Sequence, residues 1–208
     1  NFYANDTKVT ALSSTTGEES TNGTAYGAVG NAGFYSGLVP GQYTFTGKIS
    51  AATDKDLAIS SAAASLADGK YYSMYQSGFY NTTTKTVDAF VVEDAFPADI
   101  DYTVAYVRFV NAISNSSPMT MYAKNTETTA ETAIGGDVAY QAAGTFTAIP
   151  GGVYDLATRT AGSATNAISR TAVSFSAGTV YTISARGDMT VVSTTAANRP
   201  FLDNTANR

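Results

Sequence analysis

A chain of 208 residues has room for one large domain or two of about 100 residues each. Its net charge of −5 argues against nucleic acid and anionic membrane as partners, since both call for a basic face, and no apolar run is long enough for a membrane span. Cys, His and Trp are absent, which excludes disulfides, thiol–zinc sites and any catalytic triad or dyad built on His or Cys.

The chain begins at Asn1 rather than Met, so removal of an export signal is expected. Low charge with abundant Ser and Thr agrees with a secreted, extracellular or cell-surface protein. The opening "NFYANDTKVTAL" (1–12) reads as a strand of imperfect alternation, because Asp6 and Lys8 share a face with Phe2 and Leu12. "SSTTGEESTNGT" (13–24) is poor in apolar residues and reads as a flexible loop. "LVPGQYTF" (38–45) sets a Pro-Gly turn before a Tyr-containing strand. "LAISSAAASLADGKYYSMYQSG" (57–78) reads as two strands joined at Asp68-Gly69 by a hairpin or tight corner. In the second of these, Tyr71 and Tyr75 face outward while Tyr72 and Met74 face a core. "KTVDAFVV" (85–92) closes this first series.

"VEDAFPADIDY" (92–102) carries Pro97 and the acids Glu93, Asp94, Asp99 and Asp101. It reads as a boundary between a domain over 1–97 and one over 98–208. These acids could hold calcium, yet their spacing fits no calcium loop, and a solvated charge cluster is the simpler reading. "VAYVRFVNAISNSSP" (104–118) then supplies a strand that has no counterpart before Asn1. The next phrase, "MYAKN" (121–125), echoes "FYAN" at the start. "AIPGGVYDL" (148–156) repeats the Pro-Gly turn and strand, and "NAISRTAVSFSAGTVYTISARG" (166–187) overlies 57–78 without a gap. Ala58, Ile59 and Ser60 match Ala167, Ile168 and Ser169; Gly69, Tyr72 and Gly78 match Gly178, Tyr181 and Gly187. Several matches in one order indicate two copies of one domain. Val180, Thr182 and Ser184 alternate with Tyr181, Ile183 and Ala185, which predicts a half-buried strand. The tail "AANRPFLDNTANR" (196–208) extends past the last strand matched by the repeat. Short strands and turns at this density predict an all-β fold, two tandem immunoglobulin-like β-sandwich domains.

"AYVRFVNAISNSSPMTMYAKN", "AIPGGVYDLATRTAG" and "VSFSAGTVYTISARG", in that order, resemble a bacterial family called domain of unknown function 4397. The resemblance covers 104–192 well and 1–92 more weakly, because the family's opening strand, with its arginine at Arg108, has no match before Asn1. It implies exported immunoglobulin-like modules, often in tandem on lipoproteins or cell-surface proteins. It carries no catalytic residues and no cofactor.

A sandwich short of one strand exposes a row of backbone groups and an apolar groove. Filling them with a strand from a neighbouring copy gives a head-to-tail homopolymer, and hence a fibre subunit rather than an enzyme. The favoured donor arm is 1–12, through Phe2, Tyr3, Ala4, Val9, Ala11 and Leu12. The alternative donor is the tail, through Phe201 and Leu202. Tyr71, Tyr75 and Phe79 are candidates for a subunit contact or for stacking on a glycan. The competing reading is a monomeric cell-surface lipoprotein module for adhesion or glycan binding. Sequons at Asn5, Asn22, Asn81 and Asn115 carry no weight in a bacterial protein.

Overall fold

The computed structural model describes residues 1–10 and 23–207, without the side chain of Ala32. Ala11, Leu12, Asn22 and most of the expected loop 13–24 therefore lie outside the described residues. What is described is all-β, with one short 3-10 turn at Gly30–Gly33. The chain divides into two compact units, Asn1–Asp94 and Ala95–Arg208.

Unit 1 holds β1 (Phe2–Ala4), β2 (Thr7–Lys8), β3 (Gly41–Lys48), β4 (Ala58–Leu66), β5 (Tyr72–Asn81) and β6 (Thr86–Glu93). One sheet has the order β2-β1-β3-β4, and β5 and β6 form a separate pair. The Ala-rich β4 is a strand because its Ala62–Ala64 run lies in register against Tyr43–Phe45 of β3. Sheet pairing outweighs alanine's helical preference here.

Unit 2 holds β7 (Val104–Asn111), β8 (Met119–Asn125), β9 (Glu131–Val138), β10 (Ala142–Ala143), β11 (Thr147–Pro150), β12 (Gly152–Thr160), β13 (Ile168–Phe175), β14 (Val180–Arg186) and β15 (Phe201–Ala206). Its sheets have the orders β10-β7-β14-β15, with β11 also on β7, and β13-β12-β8-β9. Both sheets feed one core: Val107, Phe109, Met121, Ile183 and Leu202 are fully buried, with Leu156 beside them. β7 runs parallel to β14, with Arg108 opposite Thr182, while β15 is antiparallel to β14.

The two units share local chemistry. Tyr72 Oη accepts from the Ala67 amide at 3.1 Å, and Tyr181 Oη accepts from the Ser176 amide at 3.0 Å. Tyr43 donates to the Val39 carbonyl at 2.8 Å, and Tyr154 donates to the Pro150 carbonyl at 2.7 Å. The Asp68-Gly69 and Ala177-Gly178 turns are corners rather than hairpins, since each joins strands of different sheets. Gly69 and Gly178 have φ of +67° and +75°, a region that a side chain makes costly.

Two expectations are corrected. β14 is buried on both faces rather than one, because Arg108 and Phe146 lie on its outer side. There Arg108 Nε donates to Thr182 Oγ1 at 2.9 Å, and Thr182 Oγ1 donates to Asn207 Oδ1 at 2.6 Å. The tail is no extension beyond the repeat: Phe201–Ala206 pairs with β14 along six residues, as β6 pairs with β5.

At the rim of unit 2, Arg159 grips Glu131 with two bonds of 2.7 and 2.8 Å while lying over the Tyr122 ring. The bonds from Arg159 hold the Glu131 carboxyl below the usual glutamate range, against the opposing effect of burial. A depressed native pKa contributes stability above the unfolded value and loses it as pH falls through the native one. Glu131→Gln is therefore expected to lower the unfolding midpoint of unit 2 at neutral pH. The gap from the parent should close as pH falls through and below the carboxylate range, as read by circular dichroism melts.

Candidate functional site

β5 and β14 invite direct comparison, because each follows the same corner and the same bond from a backbone amide to a tyrosine hydroxyl. β14 is flanked by β7 on one side and β15 on the other. Among the described residues, β5 pairs with β6 alone. The Asp94 amide donates to the Tyr71 carbonyl at 2.7 Å, as the Asn207 amide donates to the Val180 carbonyl at 2.8 Å. Strand alternation then turns the backbone groups of Tyr72, Met74 and Gln76 away from β6. In unit 2 that side of β14 is where β7 bonds, for example from the Tyr106 amide to the Thr179 carbonyl.

Burial follows the same division. Tyr181, Ile183 and Ala185 are at most 8% exposed, whereas Tyr72 and Met74 are half-buried and Gln76 is exposed. β7 supplies Ala105, Val107 and Phe109 to the core of unit 2, all fully buried. Among the described residues of unit 1, the buried apolar side chains are only Ala4, Phe45 and Phe90. Phe34, Val39, Phe79 and Tyr80 of the same unit are exposed.

On the outer face of β5, Asp94 is 2% exposed. Its Oδ2 accepts from Ser73 Oγ at 2.7 Å and from the Tyr35 hydroxyl. Tyr35 also meets Tyr71 edge-on at 5.3 Å. The sequence marked Asp94 only as one of several boundary acids. No constant offset would have matched it to Asn207, since Asp94 follows Tyr71 by 23 positions and Asn207 follows Val180 by 27.

The arm expected to leave its unit is docked at home. Phe2, Tyr3 and Ala4 lie opposite Gly47, Thr46 and Phe45, and the Asn1 amine donates to the Lys48 carbonyl at 2.9 Å. Ala4 is buried, and the Val9 amide donates to the Phe2 carbonyl at 2.9 Å. β1 thus stands on β3 as β8 stands on β12. Phe201 and Leu202 are also at home: Leu202 is fully buried, and the Phe201 ring lies among Arg170, Arg186 and Arg199. Tyr71 and Tyr75 do not form one exposed pair. Tyr71 packs on Tyr35, while Tyr75 stacks on Phe90 at 5.0 Å and 14°. Phe79 is 56% exposed. Among the described residues, no three His, Cys, Asp or Glu side chains come together as a metal site. No described helix is long and apolar enough to cross a membrane.

No curated protein matches the chain. Residues 105–207 match the family described as domain of unknown function (DUF4397), a span that runs from the second residue of β7 to just past β15. The similarity to the DUF4397 family thus falls on unit 2, with its two sheets and its parallel β7.

Proposed function

We propose that this chain is a structural subunit of an extracellular filament, built from two copies of one immunoglobulin-like domain. Unit 1 accepts an edge strand from a neighbouring protomer and so joins copies head to tail. The observation that carries the reading is β5, which pairs with β6 alone among the described residues where β14 also holds β7. Three apolar side chains of an incoming strand contribute about 1.5–3 kcal/mol each. Each ladder bond adds about 0.5–1.5 kcal/mol. Together they match an association cost of about 4–15 kcal/mol. A contact of this kind joins different surfaces on the two partners, and so propagates instead of closing on a pair.

Of the two arms, the described part of 1–12 has the shorter home ladder, even with the bonds of Asn1 and Asn5 to β3. β1 is held on β3 by three residue pairs, whereas β15 is held on β14 by six with Leu202 in the core. The arm 1–12 remains the favoured donor. A second reading, a monomeric surface module that stacks on glycans, draws support from the exposed rings of Phe79 and Tyr80. Neither reading assigns catalysis. Negative-stain images of the purified chain separate them: thin unbranched filaments are expected, and a field of isolated small particles would overturn the filament reading.

A further inference from the structure

Unit 2 displays what completes its own sheet, down to one charged side chain. Arg108 of β7 is 1% exposed. It lies opposite Thr182, donates to that hydroxyl, and sets its guanidinium 4.8 Å from the centre of the Phe146 ring. Thr182 in turn donates to the amide oxygen of Asn207. Unit 1 has the same outer face with one change of charge. Ser73 stands at the Thr182 position of the repeat, and Asp94 stands at that of Asn207, since each takes the same ladder bond to its strand. Ser73 donates to Asp94 as Thr182 donates to Asn207. An aromatic ring completes both sets, Tyr35 in one and Phe146 in the other.

A carboxylate thus occupies the place where the arginine-bearing unit uses a neutral amide. We propose that the side of β5 left unpartnered among the described residues receives a strand from a second copy of this chain, running parallel to β5, with a basic side chain set against Asp94, Ser73 and Tyr35. This rests on the filament reading and adds to it a direction, a register and a charge. The direction and register are those of β7 on β14, so the basic residue lies opposite Ser73. Its two neighbours in the strand then face the core, where Val107 and Phe109 lie in unit 2. In the favoured arm 1–12 the one basic side chain is Lys8, whose neighbours Thr7 and Val9 would then face the core while Phe2 and Ala4 face outward with Lys8. A cation beside a largely buried carboxylate forms a charge-assisted bond, which discriminates against neutral strands more sharply than ladder bonds do.

The test uses the full chain and a fluorescent peptide with the sequence Val104–Asn111, whose arginine fits the corresponding place in unit 2. Its partner is the same peptide with glutamine for arginine. Binding is read by anisotropy for the parent and for Asp94→Asn, a substitution whose product matches the residue unit 2 already accommodates. The arginine peptide should bind the parent about tenfold or more tightly than the glutamine peptide. Asp94→Asn should erase that difference, with its circular dichroism unchanged. Equal binding of both peptides to the parent overturns the charge pairing and leaves strand addition standing. No binding of either overturns strand addition at β5 itself. Excess arginine peptide should shorten filaments in images; bound peptide with filaments of undiminished length overturns the second copy as occupant.

Discussion

Met74→Pro should abolish filaments while unit 2 keeps its fold. The Met74 amide points away from β6, so proline there leaves the β5–β6 ladder intact. On the other side it removes one donor from the ladder that an incoming strand needs, and its ring stands in that strand's way. The thioether that would meet the strand's apolar face is lost as well. Together these remove about 3 kcal/mol or more from each junction. The concentration needed for polymerisation should then rise by about a hundredfold or more. Sedimentation and imaging read the polymer, and the melting of unit 2 serves as the internal control. Filaments forming at the parent's concentration would move the acceptor site away from β5.

Truncating one matched pair of side chains should give sharply unequal costs. Ile183 is fully buried in the core, so Ile183→Ala should cost unit 2 about 2–5 kcal/mol. Met74 holds the corresponding place on β5 and is half-buried. Met74→Ala should cost the dispersed chain no more than about 1 kcal/mol, because few neighbours are lost. In polymer the same change should cost more, as the donated strand covers the site. Chemical unfolding of the two variants, dispersed and assembled, measures all of this. A large penalty for Met74→Ala in dispersed protein would mean that unit 1 is already closed around that side chain.

Much of the fold could be read from the sequence because it is written in local chemistry. The all-β character followed from Pro-Gly turns and period-two strands, and the Gly178 and Tyr181 positions mark the same corner as Gly69 and Tyr72. Whether such a corner folds back as a hairpin or passes to the other sheet is decided by long-range pairing, which periodicity does not encode. The same limit hid the role of Phe201–Ala206. The tail looked peripheral because it runs past the last strand matched by the repeat, yet Phe201–Ala206 pairs with β14 and Leu202 enters the core. β14 looked half-buried because Thr182 and Ser184 are polar. The hydroxyl of Thr182 is instead satisfied inside a buried chain from Arg108 to Asn207. The arm 1–12 looked detachable because 13–24, poor in apolar residues, reads as a slack linker behind it. The home ladder of Phe2–Ala4 on β3 comes from backbone groups, which side-chain patterns do not reveal. The place of Asp94 beside β5 was hidden for a similar reason: its partner Ser73 is 21 positions away and reaches it across a ladder.

The parallel setting of β7 on β14 has a mechanical corollary. A place shaped for a parallel rung fixes the heading of the strand that enters it, and the contact joins unlike surfaces. A fibre assembled on that pattern would be vectorial, with an empty socket at one extremity and a spare plug at the other. Its two tips would lengthen at different speeds, and a single defective molecule added at the faster tip would halt it.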